Sequence, residues 1–111
     1  LVLQEKQPWE PFMDRKAVMG GNDAELYFEE DHMDLFIEKL EKSPYEITYI
    51  HRCMEHEWGQ RVIRMYDLDG HVIEIGESLE YVARRFLEEG MGLEETARKT
   101  QLPLSQIEEM I

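Results

Sequence analysis

WGQRVIRMYDLDGHVIEIGE, residues 58–77, holds two β-rich runs on either side of a tight polar turn. Val62, Ile63, Met65 and Tyr66 give the first run strand character, and Val72, Ile73 and Ile75 give it to the second. Asp67-Leu68-Asp69-Gly70 joins them, with Gly70 able to take the positive φ that such a connection demands. A calcium loop would need a third ligand before the glycine and a bidentate Glu at position 12, so DLDG is a turn. Side chains alternate across a strand, which puts Val72, Glu74 and Gly76 on one face and His71, Ile73 and Ile75 on the other.

Upstream, AELYFEE (24–30) alternates again, with Leu26 and Phe28 on one face and Glu25, Tyr27 and Glu29 on the other. The period then changes: Met33, Phe36, Ile37 and Leu40 predict a helix, with Asp31 or His32 near its start and Ser43-Pro44 as its stop. YEITYIHRC (45–53) predicts the next strand, so the order is βαβββ. Residues 1–6 (LVLQEK) read as a short half-buried strand, followed by an irregular stretch containing Pro8, Pro11, Gly20 and Gly21. Beyond Ser78, Leu79, Val82, Ala83, Phe86 and Leu87 form a helical stripe ended by Gly90. Two more helices are predicted over 93–100 and 104–111. The expected class is α+β, with a domain over 1–77 and a helical extension over 78–111.

The chain has 111 residues, 25 acidic against 12 basic, and a net charge of −13. That balance excludes a general nucleic-acid binder and disfavours an anionic membrane surface, both of which call for Lys and Arg. It suits metals, cationic ligands or a basic partner. Cys53 is the one cysteine, so no intrachain disulfide forms and a reducing compartment is expected. No apolar run approaches the roughly 20 residues of a membrane span, and LVLQE has no secretory-leader pattern. The expected location is the cytoplasm.

Glu74 is the residue whose chemistry needs explaining. It sits between Ile73 and Ile75, and a carboxylate on a packed sheet is costly without a partner. Either it pairs with Arg61 or Arg64 on the neighbouring strand or lies in solvent, or it points at a metal or ligand. His51 and His56 flank the loop EHEWG and are bases or bystanders on residue type alone. Trp58 and Tyr27 either stack on a ligand or belong to the core.

The run from Trp58 to Glu77 resembles the closing hairpin of vicinal oxygen chelate proteins, the superfamily of glyoxalases, extradiol dioxygenases and bleomycin-resistance proteins. AELYFEEDHMDLFIEKL resembles the opening strand and helix of their second module. The resemblance spans about residues 24–77 and implies paired βαβββ modules forming a half-barrel around a cup. It implies that Glu74 ligates a divalent ion (Mn, Fe, Ni, Zn or Mg) and acts catalytically, and that Glu25 fills a place usually held by His. It implies a further ligand from the preceding strand, Gln4 or Glu5, and a cup in which Tyr27, His51, Trp58 and Arg64 meet a small molecule. Only the last strand of a first module precedes these residues, so either the chain is a fragment or another subunit supplies the remaining strands, and a homodimer is the expected partner. Two functions follow: a metal-dependent lyase, isomerase or dioxygenase that polarises neighbouring substrate oxygens, or a metal-free small-molecule binder.

The tail, FLEEGMGLEETARKTQLPLSQIEEMI, resembles a helix-turn-helix segment in its glycine, threonine and alanine spacing. Residues 79–111 carry seven Glu against Arg84, Arg85, Arg98 and Lys99, so phosphates would be repelled. The stripe Leu93, Ala97, Leu102, Ile107 and Ile111 predicts instead a surface that docks on the protein itself or on a second copy.

Overall fold

The structure is a computed structural model that describes residues 10, 11, 13–15 and 24–111. Strand β1 (Glu25–Glu29) leads into helix α1 (Met33–Glu41), and strands β2 (Thr48–Glu55), β3 (Arg61–Tyr66) and β4 (Val72–Gly76) follow. Helices α2 (Leu79–Glu88), α3 (Leu93–Thr100) and α4 (Leu104–Glu108) complete the order. The βαβββ unit and the helical tail both form, and the class is α+β as expected. The strand expected at residues 1–6 lies outside the described residues.

The four strands make one sheet in the order β1-β4-β3-β2. β3 and β4 are the antiparallel hairpin of the deciding segment, with Ile63 opposite Ile75 and Arg64 opposite Glu74. Gly70 takes φ +82° in its turn, and Asp67 locks that turn by accepting from the backbone N–H groups of Asp69 (2.9 Å) and His71 (2.8 Å). β1 returns parallel to β4, pairing Glu25 with Val72 and Tyr27 with Glu74. β2 runs antiparallel to β3 with two register shifts, one between Tyr49 and His51 and one between His51 and Met54. Each inserts a residue and re-aims the side chains beyond it, which sends His51 to the same face as Arg64.

The two faces have opposite character. On one, Met33, Ile63 and Ile75 form a buried cluster, with Phe36, Ile37, Leu40, Tyr49, Cys53, Met65 and Ile73 packed around it. This is the face covered by α1, whose apolar stripe is what drives it there. Burial pushes the Cys53 thiol up from its ordinary value, which favours its protonated form. On the other face Val72 and Met13 are buried with Ile50 and Tyr66 against them, and next to that apolar corner the charged residues gather.

The helical tail is tied to the sheet at three points. His32, the residue before α1, makes no side-chain capping bond; Asp31 bonds Ser78 instead, accepting from its backbone N–H (2.8 Å) and its hydroxyl (3.1 Å). Ser78 in turn caps α2, its Oγ accepting from the Tyr81 N–H at 3.1 Å. Glu77, fully buried, accepts from the Arg61 backbone N–H and guanidinium and from Arg85 of α2. Gly59, at φ +88°, lies so close to Phe86 of α2 that a Cβ there would stand 2.2 Å from the ring. Within the tail, Val82, Ala83, Phe86 and Ile107 are buried. Leu93, Ala97 and Leu102 are half-buried and Ile111 is exposed, so the expected apolar stripe packs within the molecule up to Ile107 and no further.

Candidate functional site

A row of side chains crosses the polar face of the sheet at one level. His51 on β2 is opposite Arg64 on β3, Arg64 is opposite Glu74 on β4, and Glu74 is opposite Tyr27 on β1. Glu25, two residues before Tyr27, lies on the same face because the side-chain period of a strand is two. Arg64 stands at the centre, with its side chain 6% exposed. Its Nη2 is paired with Glu74 Oε1. Its Nε is 3.6 Å from Glu25 Oε1, and its Nη1 is 3.0 Å from His51 Nε2. His51 Nδ1 is 2.8 Å from the Arg52 carbonyl. A guanidinium only donates and a carbonyl only accepts, so these two bonds together assign the tautomer with the proton on Nδ1.

The electrostatics follow from that crowding. Burial pushes the Glu74 carboxyl up, with the Glu25 charge adding to the effect and Arg64 opposing it. His51 is lowered, chiefly by burial, with Arg64 and Arg15 also disfavouring its charged form. It is therefore neutral near pH 7, and its lone pair is already engaged by Arg64. Burial and the neighbouring Glu29 and Glu74 push the Tyr27 phenol up to about 12. Its oxygen accepts from Gln60 Nε2 at 3.2 Å, which leaves the phenol proton as a donor toward the face.

Gln60 also donates to the Glu77 carbonyl at 2.8 Å and accepts from Trp58 Nε1 at 2.9 Å. Trp58 stacks on His56 with ring centroids 4.3 Å apart. Burial lowers His56 to about 4, so it is neutral in that stack. Gly76 lies beneath this group: a Cβ there would stand 3.0 Å from Gln60 Nε2, 3.1 Å from Val62 and 3.2 Å from the Tyr27 ring, so a side chain would make these neighbours shift.

The sequence profile of the glyoxalase-like domain matches residues 3–80. The chain belongs to that family. It is one of the vicinal oxygen chelate superfamily, and the match takes in the whole sheet, α1 and the first residues of α2. Among solved structures, one of a protein of unknown function from Agrobacterium tumefaciens str. C58 is 32% identical with a TM-score of 0.46. The likeness covers 68% of this chain and 59% of that one, so this chain spans little more than half of its relative's length. A search of the curated proteins found no match.

In this glyoxalase-like domain the fold brings together five of the residues singled out in the sequence: Glu25, Tyr27, His51, Arg64 and Glu74. Trp58 is linked to that group through Gln60, and Glu5 lies outside the described residues. Arg61 turns to Glu77 and Asp34 rather than to Glu74. Gln60 and Glu77 were not among the sequence candidates. An amide gives no periodic signal, and Glu77 follows the strand where a solvated carboxylate is the ordinary reading.

The carboxylates that family resemblance offers to a divalent ion do not fit one as they stand. Arg64 contacts an oxygen of each, and a guanidinium is charged at every accessible pH. Among the described residues, the set of three acidic or histidine side chains drawn within 4.8 Å of one another is Asp67, Asp69 and His71, not Glu25 and Glu74 with a third donor. Asp67 is spoken for as well, since it locks its own turn and meets His71 Nδ1 at 3.1 Å. Two open depressions of about 460 Å³ each lie on the helical tail; one borders Leu93, Arg98 and Leu104 and the other Arg84, Gln106 and Met110, and neither touches the row on the sheet.

Proposed function

We propose that this glyoxalase-like domain binds a small cationic molecule, an amine or guanidine, on the polar face of its sheet. One observation carries the reading: two carboxylates on that face, Glu25 and Glu74, share the single guanidinium of Arg64, and Glu25 Oε1 stands 3.6 Å from its Nε, too far for a hydrogen bond. A ligand's N–H would supply the hydrogen bond that this ion pair lacks. Glu29 adds a third carboxylate to the face, and the exposed Tyr27 ring adds a surface over which a cation gains further attraction. An anionic ligand would meet those carboxylates with the central guanidinium already engaged. The other reading of the family, a metal-dependent lyase, isomerase or dioxygenase, calls on the same two carboxylates, and Arg64 competes for them.

The reading is tested by thermal melting with matched series of amines, guanidines, neutral isosteres and carboxylic acids. The cations raise the midpoint by a few degrees at saturating concentration, since a ligand at about 100 times its dissociation constant adds roughly 2.7 kcal/mol. The rise shrinks in Glu25→Gln and in Tyr27→Leu. A preference for the acids, or cation shifts that are unchanged in both variants, would sink the proposal.

A further inference from the structure

We infer that Gln60 fixes Tyr27 as a hydrogen-bond donor, and that the cation taken up on this face also carries a neutral oxygen acceptor. An amino ether, an amino alcohol or an amino amide has that chemistry. The inference rests on the cation-binding reading and names the ligand class within it.

The orientation of the Gln60 amide follows from its two other partners. An indole N–H only donates, so the amide oxygen faces Trp58, 2.9 Å from its Nε1. A peptide carbonyl only accepts, so the amide nitrogen faces the Glu77 carbonyl at 2.8 Å. Turning the amide over would set donor against donor and acceptor against acceptor. The second N–H of Nε2 meets the Tyr27 oxygen at 3.2 Å. The loop that carries Gln60 is held in turn by the helical tail, where Arg85 Nη2 donates to the Gly59 carbonyl at 2.6 Å.

An N–H cannot accept, so the phenol oxygen is the acceptor and its proton points away from Gln60. The Tyr27 hydroxyl makes no other hydrogen bond among the described residues, and the residue is 44% exposed. Its proton is therefore offered to whatever lies on the face. Burial, followed by the charges of Glu29, Glu74 and Asp31, keeps the phenol protonated. The same carboxylates repel an anionic acceptor, so the oxygen that meets Tyr27 is neutral. Glu25 and Tyr27 are two residues apart on one strand face, about 7 Å at their Cα atoms. A small molecule with its acceptor a few bonds from its charged nitrogen spans both.

The experiment compares pentylamine with methoxypropylamine, its analogue with an ether oxygen in place of one methylene, and reads dissociation constants by NMR titration. Wild type binds the ether about three- to tenfold more tightly, the worth of one added hydrogen bond. Tyr27→Phe keeps the ring and binds the two amines alike. Gln60→Glu also binds them alike, because a carboxylate accepts the phenol proton and leaves none for the ligand. A merely structural role for Gln60 would weaken both amines together and leave their ratio unchanged. If Gln60→Glu does not fold, Gln60→Met takes its place, and the ratio narrows as the freed phenol oxygen competes to accept. Equal binding of the two amines by wild type overturns the inference and leaves the cation-binding reading standing. So does a preference for the ether that survives in Tyr27→Phe. A ratio unchanged in the Gln60 variant overturns the role given to Gln60. Uptake of neither amine by wild type removes the cation-binding reading, and this inference with it.

Discussion

Glu77 is a carboxylate that bridges the sheet and the helical tail from a fully buried position. It is wholly buried and holds Arg61 and Arg85 at once. Removing one partner of a buried ion pair typically costs about 3–5 kcal/mol, because the charges left behind lose their compensation. Glu77→Gln should therefore lower stability to urea by about 3 kcal/mol or more, while Glu80→Gln, whose partner Arg84 is solvent-exposed, should cost less than about 1 kcal/mol. Equal losses would show that Glu77 is not the keystone. Glu74 makes the opposite kind of contribution. Its carboxyl is raised in the folded state, so the fold binds its proton more tightly than the unfolded chain does. Stability from this group is present below the ordinary carboxylate value and is lost as pH rises through the raised one. Glu74→Gln should flatten that decline in a plot of melting temperature against pH, and an unchanged slope would contradict the shift. Neither role was fully legible in the sequence. The isolated position of Glu74 between two isoleucines marked it, and Arg64 was one of two partners that strand geometry allowed. Choosing between Arg61 and Arg64 needed the register, which alternation alone does not supply.

At the scale of elements, the helices and strands were readable because their periods are strong and their stops are chemical. Ser78 caps α2 just before the predicted stripe, and Gly90, its predicted stop, follows that helix with φ +96°. The two bulges of β2 were not readable, since a bulge inserts a residue without changing composition. They place His51 beside Arg64, which a regular strand would not guarantee. Contacts between elements were equally hidden: nothing local says that Asp31, expected near the start of α1, would hold Ser78 instead. The loop between β2 and β3 is the clearest case. Gly59 is required twice over, by its positive φ and by the Phe86 ring 2.2 Å from where a Cβ would stand. Gly59→Ala should cost about 2–4 kcal/mol in chemical denaturation, combining backbone strain with overpacking. Because Trp58 and Gln60 flank that glycine, the variant should also weaken whatever Tyr27 binds. Gly92→Ala, where the added Cβ meets nothing within 4 Å, is the control. Similar losses from both would refute the argument.

At the scale of the molecule, the sheet has one conspicuous apolar margin. Leu26 and Phe28 of β1 point to the face of α1 yet are 55% and 52% exposed. Among the described residues β1 pairs only with β4, and such an edge invites a further strand. We propose that a second copy of the chain covers it. Light scattering during size exclusion should then give a mass near twice the 13.3 kDa of the chain, falling to the single-chain value in Phe28→Lys. A single-chain mass for wild type at tens of micromolar would reject the dimer. No described helix is long and apolar enough to cross a membrane. The family and the order of elements were legible from residues 24–77, because the hairpin and the strand-helix pair each carry their own signature. What completes the sheet was not, since it depends on surfaces and not on periods.

The parallel pairing of β1 with β4 also sets an order of events in time. β3 and β4 are joined by a short turn, so their contacts close a small loop and can form within microseconds. β1 meets β4 only across the whole intervening α1, β2 and β3, and the entropy of closing that long loop is lost before any contact repays it. The hairpin is therefore the early nucleus and β1 the late arrival. Val62→Ala, in the hairpin, should slow refolding, whereas Leu26→Ala should chiefly hasten unfolding; stopped-flow rates showing the reverse would place the nucleus elsewhere. Until β1 docks, the open edge of β4 leaves backbone N–H and C=O groups unpaired, and the nascent chain is most vulnerable to misassociation in that interval.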